Sequence, residues 1–429
     1  MNRKEHLLTD MAKKLLVSSG LTNAGFATSN IFVSLFFYIA SGSIEKMALY
    51  GIGQYVGLIL VSLALVKFAR QSSPRALFKF GILLTALFYI GLILLGHKVT
   101  NLALPLGLFN GIAIGIYWFG NNTLAYDLVE PEERNHFYGI NFSVMSALNV
   151  VMPFLAGELV THISGSNGFK TVFAMAFILF GVAFYSSKRL GMTTGMGDVS
   201  IWKSFILPLE KPNWMRMWLS VALRSMNQIA QSLGIIVMVV LATHNSADQG
   251  IVASIISIAS AVTSILVGRI NPKWRTMTMR LGAMGVILAT SLLLISHDFY
   301  MILAFGILNG LTYPSLFVPL STVALDVMDD DLNVEETRGG YVLSRELSTN
   351  IGRLLGVGLL LVFLHFLSPF TAVFTAMAIG ALSQLIVVEL TVKVITLRSG
   401  KLDNVKVPEE HDESILDTAA HVIIRPVGP

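Results

Sequence analysis

The sequence predicts an all-α membrane protein: twelve transmembrane helices in two pseudo-symmetric six-helix bundles. Three observations predict it. Twelve apolar runs, each long enough to cross a bilayer, fill the 429 residues. The second half repeats the first at an offset of about 201 residues. Lys and Arg gather in alternate loops. A bilayer core of ~30 Å needs about 20 apolar residues in helix. Hydrophobic residues make up 54% of the chain, charged residues 13%, and the mean hydropathy is +0.69. A soluble protein with buried helices does not accommodate twelve such runs.

The runs fall near residues 15–40, 47–67, 77–96, 102–124, 138–161 and 170–187, then near 215–241, 249–267, 281–297, 300–323, 343–366 and 370–393. They divide the chain into a first bundle (1–187), a linker (188–213), a second bundle (214–396) and a polar, disordered tail (397–429). The repeat reaches polar residues inside the runs, where chance likeness between greasy helices does not. Asn110-Gly111 is followed seventeen residues on by Asp127, and Asn309-Gly310 by Asp326 at the same spacing. The chain reads Thr123-Leu-Ala-Tyr-Asp127 and then Thr322-Val-Ala-Leu-Asp326. Gly139, Ser143 and Asn149 return as Gly340, Ser344 and Asn350, while Asn23 and Asn30 return as Arg224 and Gln231. Two like halves of six spans mark a transporter whose halves rock around a shared midplane site.

Taken in order, span 1 is too long for a signal peptide and has no small-residue cleavage site. Its Ser19, Asn23, Asn30 and Ser34 share one helical face. Spans 2 and 3 are joined by a basic loop with Arg70 and Arg75. Span 4 carries Asn110, Tyr117, Trp118, Asn121 and Asn122 and ends at Asp127. Span 5 holds Glu158 toward its outer end, where burial would raise a carboxyl pKa and suit a proton carrier. After span 6, Gly191-Met-Thr-Thr-Gly-Met-Gly197 reads as a loop; no Gly-Lys-Ser/Thr follows to cradle a phosphate. Lys203 to Lys211 reads as a short amphipathic piece on the membrane surface.

Span 7 bears Arg224, Asn227, Gln228 and Gln231. Arg224 stands nine residues in, ~14 Å deep at helical rise. A lone guanidinium there costs at least ~2.5 kcal/mol. A carboxylate from another span such as Glu346, a wet cavity, or an anionic substrate group must offset it. Spans 8 and 9 flank a second basic loop with Arg269 and Arg275. Span 10 carries Asn309 and Tyr313, and span 11 Glu346, Asn350 and Arg353. Polar groups facing lipid are costly, so these stripes face the bundle interior or a water-filled cavity. Interhelical hydrogen bonding, typically ~0.6–2 kcal/mol per contact, is the competing role for the amides.

Counting the N-terminus as cytoplasmic, the outer loops contain only Lys46, Lys98 and Lys170. The inner side collects Arg3, Lys4, Lys13, Lys14, Lys67, Arg70, Arg75 and Lys79, then Lys188, Arg189, Lys203 and Lys211, then Arg269, Lys273, Arg275 and Arg280. Both termini are therefore expected inside a plasma (inner) membrane. The net charge of +4 records this topology and inner-leaflet contact rather than nucleic-acid binding. The absence of cysteine excludes disulfides and thiol chemistry.

Twelve spans in two repeats, a cytoplasmic middle loop and basic loops after spans 2 and 8 resemble the major facilitator superfamily. The loop Pro131-Glu-Glu-Arg134-Asn-His-Phe-Tyr-Gly139 is similar to that family's Pro-x-x-Arg-x-x-x-x-Gly opening of span 5. The family's Gly-x-x-x-Asp-Arg-x-Gly-Arg-Arg loop survives here only in the basic residues of Leu65-Val-Lys-Phe-Ala69-Arg70-Gln-Ser-Ser-Pro-Arg75. Its counterpart Gly268-Arg269-Ile-Asn-Pro-Lys273-Trp-Arg275 is degenerate too. The look is that of bacterial exporter-like members without an assigned substrate. The resemblance implies that spans 1, 4, 7 and 10 line a central cavity. Asn23, Asn30, Asn110, Tyr117, Asn121, Arg224, Gln228, Gln231, Asn309 and Tyr313, with Asn350 and Arg353 of span 11, are its candidate lining. It also implies a cytoplasmic gate closed by Asp127 with Arg70 and Arg75, and by Asp326 with Arg269 and Arg275.

The expected function is secondary active transport of a small organic or amphiphilic solute by alternating access, as proton-coupled efflux, by a monomer. The alternatives are transport of an anionic metabolite, flipping of a lipid-linked sugar, or sensing without transport. No cofactor or metal is implied. The nine histidines are not paired at ligand intervals, no Ser/His/Asp set converges, and no nucleotide-binding loop exists.

Overall fold

A computed structural model describes residues 8–68, 73–129, 134–163, 166–191, 201–243, 247–268, 270–296, 298–331 and 334–404. Among these, all regular structure is helical. The first six long helices are α1 (Asp10–Ser41), α2 (Ile44–Phe68), α3 (Pro74–Leu95), α4 (Ala103–Leu128), α5 (Arg134–His162) and α6 (Ser166–Ser186). A short helix, α7 (Ile201–Glu210), follows in the linker. The second six are α8 (Pro212–Thr243), α9 (Ala247–Gly268), α10 (Arg275–Leu292), α11 (Phe299–Asp329), α12 (Val334–Phe366) and α13 (Pro369–Asn404).

Helix ends follow local chemistry. Thr9, Ser73 and Asp298 cap α1, α3 and α11 by accepting from the backbone N–H three residues on. Gly42 closes α1 at φ 65°, a left-handed conformation that glycine adopts without penalty.

Eleven of these helices are long and apolar enough to cross a membrane. The twelfth, α10, is the shortest long helix at 18 residues and carries Arg275 and Arg280. It starts six residues before the expected span and stops at Leu292, beyond which three-residue turns carry the chain through Ile295. The expected tail begins too early as well, because α13 continues in helix to Asn404. The rest of the tail, and most of the glycine-bearing linker loop, lie outside the described residues. The amphipathic linker piece is α7, which buries Ser204 and Leu207 and exposes Phe205 and Leu209.

Close helix approach depends on small residues. Gly53 and Gly57 of α2 meet the backbone of α4 near Leu104 and Leu108, and Gly107 and Gly111 of α4 meet the carbonyls of Tyr50 and Gln54. In the second half, α8 and α12 run parallel at a constant offset of 130 residues. Trp214 Nε1 donates to Ser344 Oγ at 3.1 Å and Ser348 Oγ donates to the Trp218 carbonyl. Gly352 and Gly356, one turn apart, rest on the backbones of Ala222 and Met226. A small residue every fourth position of α12 thus admits α8.

The bundles join through α5 with α9 and α2 with α12. Several contacts between them lie away from the linker. Ser254 Oγ donates to the Val150 carbonyl at 2.7 Å, Gly250 sits on Pro153 and Gly157, and Gly51 faces Val357. The apolar core is continuous across the bundles at that far end, where Leu233, Ile236, Val357 and Leu360 pack in one cluster with Phe36, Phe37 and Tyr50. At the linker end the second bundle keeps a core of its own, around Trp214, Met217, Tyr341 and Val388.

Candidate functional site

Where the bundles meet, a cavity of about 240 Å³ opens between α1, α8, α9 and α11. Ile31, Ile235, Val252 and Ile256 form its apolar wall; Gln228, Gln231, Ser232, Asn309 and Tyr313 give it polar groups. Gln228 Oε1, Gln231 Oε1 and Asn309 Oδ1 are buried and have no protein partner. A buried polar group left unpaired costs about 1–3 kcal/mol. These acceptors lie beside the cavity with almost no accessible surface, so a ligand's hydroxyl or amine donor would reach them once the amides turn toward it. Gln231 is anchored on its other side, its Nε2 donating to Asn227 Oδ1 (3.1 Å), Thr290 Oγ1 (3.2 Å) and the Met377 carbonyl (3.2 Å). It thus serves both as cavity wall and as glue to α10 and α13.

Arg224 is 7% exposed and stands directly behind that wall. Its Nη1 donates to the Tyr313 hydroxyl and its Nη2 to Ser225 Oγ at 3.1 Å. Its guanidinium lies 5.0 Å from the Phe317 ring centroid and 6.0 Å from that of Tyr313, and these two rings stack on each other. Every one of these partners is neutral. Glu346 is exposed and forms neither a hydrogen bond nor an ion pair with Arg224, so the carboxylate offset expected from span 11 is not what holds this charge. Cation–π contact and hydrogen bonds reduce the cost of the buried charge without neutralising it.

On α12, Asn350 is 2% exposed and donates to the Glu346 carbonyl at 3.0 Å; its Oδ1 accepts from Arg353 Nη1 at 3.2 Å. Arg353 reaches across the bundle boundary to lie 5.5 Å from the Tyr55 ring centroid of α2. Given the offset of 130 between α8 and α12, Arg353 stands level with residue 223, at about the height of Arg224.

The first bundle contributes less to the cavity than expected. Tyr117 is fully buried among Phe26, Phe78 and Trp118, with centroids 5.2–5.4 Å apart, in the aromatic core of α1, α3 and α4. Asn110 is 1% exposed and donates to the Tyr50 hydroxyl at 2.6 Å, between α4 and α2. Asn23 is buried, Asn121 half-buried and Asn30 exposed, and none of the three lines this cavity, which takes only Ile31 from α1. Glu158 has a 45% exposed side chain and faces His162 at 3.4 Å. The burial on which its candidacy as proton carrier rested is missing there.

Of the expected gate residues, Arg70 and Arg269 lie outside the described residues. Asp127 is exposed at the end of α4. Arg75 donates to the Lys188 carbonyl at the end of α6. Asp326 pairs with Arg275, one of the two arginines the family resemblance set beside it, at 3.0 Å, and also with Arg398 at 3.1 Å. Arg398 in turn grips Asp330 through Nε (2.6 Å) and Nη2 (2.9 Å). This cluster ties α10, α11 and α13 within one bundle. Sequence reasoning missed Arg398 because hydropathy ended the last span short of it. Its signal was a lone basic residue one more turn along an apolar helix. Arg345, half-buried on α12, was missed as well.

Asp326→Asn is expected to lower the melting temperature of the detergent-solubilised protein, and added salt should shrink the difference. Its carboxylate side chain is 30% exposed. The loss therefore belongs between the ~0.2–1 kcal/mol of an exposed pair and the ~3–5 kcal/mol of a broken buried one. An unchanged melting temperature would reduce the cluster to solvated charges.

A sequence model of the Major Facilitator Superfamily matches residues 15–195 and 215–419. Among curated proteins, the chain is 24% identical over 344 residues to "Uncharacterized protein YqgE" of Bacillus subtilis (strain 168), covering 80% of each. It is 26% identical over 191 residues to "Uncharacterized protein in sodM 3'region" of Geobacillus stearothermophilus, covering 44% of this chain and 89% of that one. Among solved structures, it is similar to a bacterial homologue of the iron transporter ferroportin in an inward-facing state. The TM-score is 0.69 at 16% identity, over 90% of this chain and 98% of that one. It is also similar to the nucleoside transporter NupG, with a TM-score of 0.67 at 11% identity, over 90% and 100%. At these identities the likeness to solved structures is one of fold.

Proposed function

The chain belongs to the major facilitator superfamily and is a multi-pass membrane transporter rather than an enzyme, and on that premise we propose secondary active transport of a small organic solute by alternating access. The proposed setting is the plasma membrane, with both termini and the linker cytoplasmic and the monomer as working unit. The observation that carries the reading is the cavity with three unpaired amide oxygens where α1 meets α8, α9 and α11. The bundles share one apolar core at the far end and keep separate ones at the linker end. That arrangement supports a state open toward the linker, which rocking about the midplane would exchange for its opposite. The Asp326 cluster is the proposed inner gate element.

Efflux against proton entry remains the proposed form of coupling. Glu158, exposed near the outer end, fits the role of outer proton acceptor better than that of a buried carrier. A second form, movement of an anionic solute on its own gradient or by exchange, is favoured by the unneutralised Arg224.

The cysteine-free chain allows a test that needs no substrate. Gln228→Cys in the cavity is expected to react with an impermeant thiol reagent from either side of oriented vesicles. Adding Val150→Cys with Ser254→Cys and oxidising that pair should close the outer route and leave only inner labelling, reversibly on reduction. A cavity cysteine that never reacts from the outer side, before or after the bridge is reduced, would defeat alternating access.

A further inference from the structure

The two bundles differ in charge at their centre. Arg224 on α8 and Arg345 and Arg353 on α12 stand where the first bundle, 201 positions earlier, has Asn23, Val144 and Met152. Arg353 is occupied by Asn350 and Tyr55. Arg345 is different. It is half-buried, about two turns nearer the linker end, and its guanidinium has no hydrogen bond or ion pair to any described residue. The charges acting on it are those of Glu346, its exposed neighbour in sequence, and of Arg224, which repels it. Two guanidiniums within electrostatic range of each other, one with neutral partners and one with no hydrogen bond or ion pair among the described residues, call for an anion.

We propose that Arg345 and Arg224 are successive anion-binding points on the linker-side path into the cavity. The transported solute then carries a carboxylate or phosphate on a small polyhydroxylated body, as a sugar acid or sugar phosphate does. This rests on the transporter reading and adds the charge of the cargo to it. The body follows from the cavity. Gln228, Gln231, Ser232, Asn309 and Tyr313 line it with amide and hydroxyl groups, which suit the hydroxyls of such a body. A volume of about 240 Å³ is smaller than the ~300–1,000 Å³ of pockets for drug-sized ligands, which disfavours a bulky amphiphile. Metal cargo is disfavoured by the same guanidiniums. Among the described residues, no group of three His, Cys, Asp or Glu side chains is placed to hold an ion.

The test uses the purified full chain with five probes: gluconate, glucose 6-phosphate, glucose, Mn²⁺ and tetraphenylphosphonium. Melting shifts and uptake into proteoliposomes are read for each. At least one of the two anions is expected to raise the melting temperature and to cross the membrane, while glucose does neither. Arg345→Gln should weaken that anion's binding at least tenfold and leave the melting temperature of the free protein unchanged. Arg345→Lys should retain most of the affinity, and Glu346→Gln should strengthen it several-fold by removing the competing carboxylate. The inference is overturned if neither anion binds, if glucose binds as well as gluconate, or if Arg345→Gln leaves anion affinity unchanged. It is equally overturned if only Mn²⁺ or tetraphenylphosphonium is bound. In those cases the cysteine-accessibility result still decides, separately, whether the protein alternates access.

Discussion

Arg224→Gln is expected to abolish transport while leaving the protein at least as heat-stable as the parent. The two halves of that expectation have one cause. Arg224 is twelve residues past the start of α8, ~18 Å along the helix, and its partners Tyr313, Ser225 and Phe317 are uncharged. Burying such a charge costs at least ~2.5 kcal/mol, so an uncharged residue of similar length relieves the folded state. The cost is worth keeping only if the charge is used. Losing a buried charge-assisted contact to solute is worth ~2–5 kcal/mol, a ~30- to several-thousand-fold loss of rate at about 1.4 kcal/mol per tenfold. Arg224→Lys restores the charge without the planar fork and should recover only part of the rate. Initial rates in proteoliposomes and a melting curve on the same preparation check both halves. Normal transport by the Gln variant would remove the charge from the site, and a large fall in stability would make Arg224 a structural residue.

Gly111→Val is expected to prevent stable folding of the first bundle. A Cβ at Gly111 falls on the Gln54 carbonyl oxygen, far inside the 3.0 Å that real Cβ atoms keep. The obstacle is backbone, so no side chain can swing aside. Gly107 one turn earlier stands in the same relation to Tyr50, and Gly53 and Gly57 reciprocate from α2. Separating α2 from α4 would also break the Asn110–Tyr50 hydrogen bond. Ordinary overpacking costs ~1–3 kcal/mol, and four reciprocal backbone contacts place this site at or beyond the upper end. Gly181→Val is the control, since nothing lies within 4 Å of a Cβ there. Expression level and monodispersity after detergent extraction compare the two. A well-behaved Gly111→Val protein would mean that the helices can part without loss.

Part of what the structure brings together was named before any coordinates. The family resemblance implied Arg275 beside Asp326, and the two are paired. Gln228, Asn309 and Tyr313 follow from the cost of placing amides and hydroxyls against lipid, which directs them inward. That same cost does not say whether inward means a cavity or a neighbouring helix. Asn110 and Tyr117 were read as cavity residues, yet they serve Tyr50 and an aromatic core.

The sequence by itself determined the number and approximate limits of the spans, the two-fold repeat and the place of Arg224 along its helix. These depend on properties of one segment at a time: apolar length, helical rise and the position of a charge along an axis. Only the tertiary structure decided which face of each helix meets which neighbour. It set α8 and α12 in parallel register, so that Arg353 stands at about the height of Arg224, and tied Arg398 to Asp326 and Asp330. It also left Glu158 in the open and Arg345 without a hydrogen bond or ion pair among the described residues. The reason is physical. Helix rotation and register are set by contacts between segments far apart in the chain, where a glycine stripe such as Gly352 and Gly356 admits a partner only at one angle and one height.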